Sequence, residues 1–268
     1  MNVLITGAAS GIGKAVMNYF LDNNHKVIAI DRSQIEAKNN LLAFTSDITN
    51  YESLNLIKEE LIKERIIIDV IIDIAGIHKM SSLVEGDFNN IKKLIDINLL
   101  GTMLINKTFH ELLYKNGKII IVTSEVATLD PLPFNGLYTI SKNALESYAQ
   151  ALRQELNLLN QRVVTIRPGA IKTELSNNSL IDIENMANTT KLYEKQAKHF
   201  LNISKKFMGT PIEPIKVGKL IYKVSLKKKP KYSYSIHRNI GLLLLNILPK
   251  GLQCFIINKL LNRKLKNK

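Results

Sequence analysis

The stretch that most constrains this chain is residues 3–16, in which an apolar run leads into three closely spaced glycines. The run from Val3 to Ile5 predicts a short buried strand, and the apolar positions after Gly13 recur at the spacing of a helix. Glycines at the turn let the backbone fold sharply and approach a phosphate without an intervening Cβ. The following helix presents unpaired N–H groups and a partial positive charge. Such a turn favours a pyrophosphate.

A second strand distinguishes a dinucleotide site from a mononucleotide site. Residues 26–30 form another apolar run that ends at Asp31, whose carboxylate can accept hydrogen bonds from both hydroxyls of an adenosine ribose. A mononucleotide P-loop would need Gly in place of Ala8 and Ser or Thr in place of Ala15, so we exclude it. Asp31 favours NAD, because a carboxylate repels a 2′-phosphate at close range, whereas the adjacent Arg32 leaves NADP open.

The rest of the chain alternates apolar strands with helical patterns. Strands are predicted at 2–6, 26–30, 42–45, 66–72, 118–123 and 162–166, and helices at 12–24, 51–63, 88–114, 137–158 and 214–226. Continuous apolar runs are typical of parallel strands covered on both faces. We therefore expect an α/β fold with a doubly wound parallel sheet, in one domain with a C-terminal amphipathic helical extension.

Length and composition agree with a single domain. A chain of 268 residues with 46% hydrophobic content can bury one sizeable core. The lone Cys254 excludes a disulfide framework and is compatible with a reducing compartment. The first strand leaves no room for a signal peptide, and no run reaches the roughly 18 apolar residues that span a bilayer. We expect a cytoplasmic protein and predict no metal site.

A second group of polar residues predicts acid–base chemistry. Tyr138 and Lys142 are four residues apart in a predicted helix, so they project from one face about one turn apart. An ammonium there would lower the tyrosine pKa from about 10, although an isolated pair is equally a surface tyrosine beside a solvated lysine. Ser124 follows an apolar strand, at the sheet edge where ligands bind. Asn98 is polar on an apolar helix face, and a buried amide needs partners.

Together these residues resemble the short-chain dehydrogenase/reductase family. The matching motifs lie in order over about residues 1–175: Thr6-Gly-Ala-Ala-Ser-Gly-Ile-Gly13, Asp47-Ile48, Ala75-Gly76, Asn98-Leu-Leu-Gly101, Thr123-Ser124, Tyr138-x-x-x-Lys142 and Arg167-Pro-Gly169. The resemblance implies a Rossmann fold over residues 1–235. It also implies an NAD(P)-dependent oxidoreductase that interconverts a secondary alcohol and a ketone, working as a homodimer or homotetramer.

The resemblance assigns a role to each matching residue. Tyr138 would be the acid/base and Ser124 would polarise the carbonyl oxygen. Lys142 would bind the nicotinamide ribose and lower the pKa of Tyr138, and Asn98 would hold a water in a proton relay. The implied cofactor site comprises Gly7, Ser10, Gly11, Ile12, Gly13, Asp31, Arg32, Asp47, Ile48, Ala75, Gly76, Tyr138, Lys142, Pro168, Gly169, Ile171 and Thr173.

One departure from the family pattern follows the fourth strand. The family usually has Asn-Asn-Ala-Gly there, and this chain has Asp73-Ile74-Ala75-Gly76. We expect the loss of both amides to remove hydrogen bonds that tie the centre of the sheet together.

Residues 174–212 lie where the family keeps a mobile substrate lid, with 176–179 and 209–211 as predicted hinges. Apolar residues in and before this segment predict a lipophilic substrate, either steroid-, retinoid- or acyl-like, unless they are plain packing residues. The candidates are Leu132, Phe134 and Leu175, with Leu129, Leu192 and Phe200.

The C-terminal extension, residues 236–268, has two short apolar segments edged with Lys and Arg, in a chain of formal charge +14. A basic amphipathic segment of this kind lies on an anionic membrane surface, or else covers the substrate pocket or a partner subunit. Nucleic-acid binding is not expected, because the basic residues lack interleaved aromatics. The functional alternative is an NAD(P) sensor or a membrane-peripheral scaffold without catalysis, against which the intact catalytic set weighs.

Overall fold

The computed structural model describes residues 1–207 and 210–263. In these residues seven parallel strands form one sheet in the order β3-β2-β1-β4-β5-β6-β7. The strands are β1 Asn2–Thr6, β2 Lys26–Asp31, β3 Leu41–Thr45, β4 Ile68–Asp73, β5 Leu113–Val122, β6 Arg162–Pro168 and β7 Ser233–Ile236. The strand order reverses between β1 and β4, and open α/β sheets bind ligands outside such a switch point.

Helices cover both faces of the sheet, which confirms the predicted doubly wound fold. They are α1 Gly11–Asp22, α2 Tyr51–Lys63, α3 Phe88–Ile95, α4 Thr102–Phe109, α5 Gly136–Leu158, α6 Glu174–Thr189, α7 Glu194–Phe207, α8 Pro214–Leu226, α9 Ile240–Ile247 and α10 Lys250–Leu261. Leu54, Ile105 and Leu145 bury α2, α4 and α5 on one face. Val16 and Ile221 bury α1 and α8 on the other. None of the described helices is long and apolar enough to cross a bilayer.

The turn between β1 and α1 depends on two of its glycines. Gly7 has φ +69°, and a Cβ there would lie 2.8 Å from the backbone of Ala75 at the end of β4. A Cβ on Gly13 would lie 1.8 Å from the carbonyl oxygen of Gly7. Side chains at either position would push the helix away from the strand, so the glycines allow α1 to start directly above the sheet edge.

The helix predicted over 88–114 is interrupted. After α3 the chain forms a π-helical turn over Asp96–Gly101, and after α4 a 3₁₀ turn leads into β5 at Leu113. The Thr102 hydroxyl donates to the Asn98 carbonyl within the widened turn (3.4 Å). An extra residue in a helical turn rotates the remainder of the helix by about 100°. Met103, the second residue after this turn, is 37% exposed.

Several elements were not predicted from the sequence. β7 pairs with β6 and runs through the boundary expected at residue 235. Its alternation of serine with tyrosine and isoleucine lacks the apolar run that marked the other strands.

Helices α6 and α7 occupy the expected lid, 174–212, and pack with α10 around Ile183, Ala197 and Leu261. Within the lid and the extension, residues 208–209 (including part of the expected hinge at 209–211) and 264–268 lie outside the described residues.

Candidate active site

A cavity of about 750 Å³ opens at the carboxyl edge of the sheet, bounded by the glycine turn, α6, α7, α9 and α10. All of the residues predicted to bind the cofactor line it, from Gly7 through Thr173. Ser124, Tyr138 and Lys142 also line it, whereas Asn98 lies behind its wall. The fold therefore brings the predicted cofactor residues and three of the four predicted catalytic residues into one space.

At one end of the cavity the carboxylate of Asp31 is held in place. It accepts hydrogen bonds from the backbone N–H of Ala9 in the glycine turn (2.9 Å) and from that of Ser33 (2.8 Å). Asp31 keeps 9% of its surface exposed and lines the cavity beside Arg32. A negative charge is thus fixed where the resemblance places the adenosine ribose.

The glycine turn fits a pyrophosphate. Ser10 is the N-cap of α1 but makes no side-chain capping hydrogen bond, and the first turn of α1 has no acidic residue. The N–H groups at this helix end therefore remain available to an anion. Gly11 and Gly13 line the cavity and have no side chain to block that approach. The residues present match the phosphate-binding part of an NAD(P) site.

Tyr138, Lys142 and Ser124 meet at the middle of the cavity. The Lys142 Nζ lies 5.8 Å from the centroid of the Tyr138 ring and donates a hydrogen bond to the Val122 carbonyl (3.3 Å). The Ser124 hydroxyl hydrogen-bonds to the Tyr138 phenol. Ser124 lies two residues after the end of β5, while α5 carries the other two, one helical turn apart.

Burial dominates the electrostatics of this group. It raises the pKa of Tyr138 to about 12; the charge of Glu125 also raises it, and the hydrogen bond with Ser124 lowers it. Burial lowers the pKa of Lys142 to about 8. Burial thus sets the direction of the Tyr138 shift, and the pKa of Tyr138 is raised where the sequence led us to expect a lowering by Lys142. The phenol is protonated at neutral pH and can donate a proton.

Asn98 supports the cavity from behind. It is fully buried in the π-helical turn. Its Oδ1 accepts from the Ile77 N–H (2.8 Å), and its Nδ2 donates to the Ile77 carbonyl (2.9 Å) and to the Ser141 hydroxyl (3.1 Å). The side chain thus fixes the backbone that follows β4, beside Tyr138 and Lys142.

The sequence model of one protein family, described as short chain dehydrogenase, matches residues 1–200. The chain belongs to this family. The sheet, the glycine turn and the Tyr–Lys pair agree with membership of the short-chain dehydrogenase family. The protein is an oxidoreductase acting on CH–OH or carbonyl groups with a nicotinamide dinucleotide.

Curated relatives of this dehydrogenase include two bacterial reductases. It is 27% identical over 232 residues to a 3-ketodihydrosphingosine reductase of Bacteroides thetaiotaomicron, covering 86% of this chain and 85% of that one. It is also 27% identical over 250 residues to an NADPH-dependent 3-dehydrocapnine reductase of Ornithobacterium rhinotracheale, covering 87% of each. A crystal structure of a short chain dehydrogenase family protein from Francisella tularensis matches with a TM-score of 0.73 and 26% identity, over 88% of this chain and 96% of that one.

The departure after β4 gives this dehydrogenase a buried carboxyl group. Asp73 accepts a hydrogen bond from the Asn106 amide (3.0 Å), but its Oδ1 and the Asn106 Oδ1 lack partners within the described chain. Burial raises the pKa of Asp73 to about 7, with the Asn106 bond acting against it. The backbone N–H groups of Ile74 and Ala75 donate to the Thr6 hydroxyl (3.1 and 3.2 Å). Thr6 thus supplies a tie between β1 and β4.

Sequence reasoning missed His78. Its ring packs against that of Tyr138, with centroids 4.2 Å apart. Its Nε2 is 3.1 Å from the Asn135 Oδ1 and its Nδ1 is 2.9 Å from the Ser179 hydroxyl on α6. Burial lowers its pKa to about 4, so the ring is neutral. The only signal was its position, two residues after the Ala75-Gly76 motif.

The substrate end of the dehydrogenase cavity is apolar. Of the predicted substrate residues, Leu132, Leu175 and Phe200 line it. Phe134 lies elsewhere, with its ring against Tyr193 and Phe200 (centroids 5.6 and 5.4 Å), because it packs into the apolar cluster formed by α6, α7 and α10. Leu129 and Leu192 also do not line this cavity. Further lining residues come from α9 and α10, so the C-terminal extension covers this pocket, which was one of the alternatives left open by its sequence; they are Leu242, Leu245, Ile257, Leu260 and Leu261.

Proposed function

We propose that this protein reduces a lipophilic ketone to the secondary alcohol, with Tyr138 as the acid. The observation that carries the proposal is the continuity of the cavity. One space joins the glycine turn to the Ser124–Tyr138–Lys142 group and then to an apolar end walled by α6, α7, α9 and α10. A nicotinamide dinucleotide lying along the sheet edge would supply the hydride to the carbonyl carbon.

Each residue of the catalytic group has a defined task in this proposal. The Ser124 hydroxyl donates a hydrogen bond to the carbonyl oxygen and orients it. As that oxygen gains negative charge, the Tyr138 phenol transfers its proton to it, which completes the alcohol. The Lys142 ammonium stabilises the phenolate that remains, because opposite charges attract strongly in a buried site. Asn98 is a positioning residue, since its amide is bonded to Ile77 and Ser141.

NAD is the proposed cofactor, and the arrangement of Asp31 supports it. Both carboxylate oxygens are held by backbone N–H groups, so the charge cannot easily turn away from a 2′-phosphate. Arg32 is exposed beside it and is the feature that would accommodate NADP. The Ornithobacterium relative is named as NADPH-dependent, so the assignment needs a direct comparison of the two cofactors.

The proposed substrate class is a ketone with a long alkyl chain. The apolar lining residues from Leu132 and from α6, α7, α9 and α10 support it, and so do the names of the relatives, which act on 3-ketodihydrosphingosine and 3-dehydrocapnine. A cytoplasmic homodimer or homotetramer completes the proposal.

The test is a panel of ketones of increasing chain length, each mixed with the full chain and NADH or NADPH, while the nicotinamide absorbance band is followed. We expect turnover that increases with chain length. Binding of NAD(P)H by calorimetry without turnover of any ketone or alcohol would overturn the proposal and favour a sensor. Turnover restricted to short polar ketones would overturn the substrate class alone.

A further inference from the structure

Helices α9 and α10 each have an inner face that belongs to the active-site cavity. Leu242 and Leu245 of α9 and Ile257 of α10 line the substrate end. The Asn239 N–H at the start of α9 donates to the Glu125 carboxylate (2.6 Å), directly after Ser124. Gln253 of α10 donates to the Asp130 carboxylate (2.9 Å). The pair is therefore attached to the catalytic region and forms one wall of its cavity.

The opposite face of these helices is apolar and exposed. On α9, Ile240, Leu244 and Ile247 are 71%, 61% and 77% exposed at a spacing that places them on one side of the helix. On α10, Leu252 and Phe255 are 44% and 61% exposed. We call these five residues the outer face. So many large apolar side chains in one short segment indicate an interaction surface.

The charged residues of the segment that carries the outer face are all basic. In the sequence, residues 236–268 contain no Asp or Glu, and their basic residues are Arg238, Lys250, Lys259, Arg263, Lys264, Lys266 and Lys268. The Lys250 side chain is 85% exposed and lies 3.6 Å from the Asp130 carboxylate, and the Lys259 Nζ lies 5.8 Å from the Phe255 ring centroid. Long basic side chains beside apolar ones match an interface of acyl chains and anionic headgroups.

We propose that the outer face docks on an anionic phospholipid bilayer, so that the lipophilic substrate enters the cavity from the membrane. A second copy of the chain fits less well. A two-fold interface would set this basic segment, which has no acidic residue, against itself. The helices have 8 and 12 residues, so they lie on a membrane and do not cross it.

The route into the cavity lies beside α10. Leu260 lines the cavity and is also 38% exposed, so the cavity wall reaches the molecular surface there. A chain leaving the bilayer at the outer face would meet the inner-face leucines without crossing an extended polar surface. This loading route rests on the proposed function for its substrate class, whereas the docking itself does not.

Flotation with vesicles tests the docking. The full chain is mixed with vesicles of phosphatidylcholine, or of phosphatidylcholine with an equal part of phosphatidylglycerol. We expect it to float with the anionic vesicles and to float less as salt is raised. The triple variant Leu244→Asp/Ile247→Asp/Phe255→Asp should lose roughly tenfold in partitioning for each apolar side chain removed. The matched control is Leu56→Asp/Ile67→Asp/Leu158→Asp, at three exposed apolar positions outside this segment (67%, 56% and 83%).

Three outcomes of flotation would overturn the docking. They are absence of the wild type from anionic vesicles, equal loss in the control, and retention of the triple variant. Light scattering of the same samples tests the alternative that a second copy of the chain binds the outer face. If the wild type is a dimer that the triple variant dissociates, while neither floats, the outer face is a subunit interface and the membrane proposal is wrong.

Activity assays separate the docking from the proposed function. A long-chain ketone is supplied in anionic vesicles, and a short-chain ketone in water. We expect the triple variant to lose at least about tenfold on the vesicle substrate and to keep its rate on the soluble one. Equal rates for wild type and variant on both would refute the loading route. Failure of the wild type on both substrates, with flotation intact, would refute the proposed function and leave the docking standing.

Discussion

The ring of His78 lies against the ring of Tyr138, with 4.2 Å between centroids, and connects that tyrosine to the lid. Its Nδ1 faces the Ser179 hydroxyl on α6, and its neighbour Lys79 forms an ion pair with Asp182 on the same helix. A displacement of α6 would therefore move His78 and, through the ring contact, change the position of the Tyr138 phenol. In the proposed function, this contact would couple enclosure of the substrate with the position of the proton donor.

Replacing His78 should distinguish the effect of its ring contact with Tyr138 from the effect of its hydrogen bonds to Ser179 and Asn135. His78→Phe keeps a ring against Tyr138 but loses the hydrogen bonds to Ser179 and Asn135. We expect KM for the ketone to rise roughly 2- to 12-fold for each lost bond, with a smaller change in kcat. Ser179→Ala removes one of those bonds from the other side. The double variant should therefore fall short of the summed effects in steady-state kinetics, and full additivity would contradict the coupling.

The pH profile gives the same residue a second readout. Burial lowers the pKa of His78 to about 4, so the ring is neutral throughout the range from pH 5 to 8. KM should therefore be as pH-dependent in His78→Phe as in the wild type over that range. A titration near pH 6.5 present only in the wild type would show instead that the ring takes up a proton.

Removal of the Tyr138 hydroxyl should abolish most of the reaction. Tyr138→Phe leaves the ring in place but has no proton to give, so kcat should fall about 10²- to 10⁴-fold. The dissociation constant for NADH, measured by calorimetry, should change little. Tyr114→Phe, at an exposed tyrosine, is the control. An unchanged rate in Tyr138→Phe would end the acid assignment.

Neutralising the fixed charge at the end of β2 should change cofactor preference. Asp31→Asn retains an oxygen that can accept from the Ala9 or Ser33 N–H groups but removes the repulsion of a 2′-phosphate. We expect NADPH to bind at least about tenfold more tightly than to the wild type, with weaker binding of NADH. Fluorescence titration of both cofactors measures this. A wild type that already prefers NADPH would show that Arg32 dominates.

The buried carboxyl at the end of β4 should make stability depend on pH. The folded pKa of Asp73 is raised to about 7 from its ordinary 3.8, so the folded state holds a proton that the unfolded state releases. The stabilisation is complete below about pH 4 and is lost as pH rises through 7. Asp73→Asn carries no such charge, so its unfolding free energy at pH 8 should exceed that of the wild type by up to roughly 4 kcal/mol.

Denaturant unfolding at pH 5 and pH 8 measures this difference, and Asp22→Asn, at an exposed position, is the control. The prediction fails if Asp73→Asn and the wild type lose stability in parallel between the two pH values.

Local patterns were sufficient for the centre of the fold. Strands with continuous apolar runs, such as β1 and β2, and the glycine turn between β1 and α1 depend on neighbours in sequence, so periodicity and turn chemistry predict them. Helix 88–114 was predicted as continuous, because the π-helical turn around Asn98 depends on contacts with Ile77 and Ser141 that are distant in sequence. β7 escaped detection for a similar reason, since it is stabilised by β6 and not by its own pattern.

The sequence by itself determined the six strands from β1 to β6, the glycine turn and which polar residues share one edge, because parallel strands bring their carboxyl ends together. Only the tertiary structure decided how those groups titrate, since burial is the largest influence on the pKa of Tyr138 and raises it. It also placed Phe134 in the lid core, and His78 between the phenol and α6. The structure also distinguishes the inner face of α9 and α10, which lines the cavity, from the outer face, which is exposed. The sequence could not distinguish them, because an apolar helix pattern does not say which side is covered.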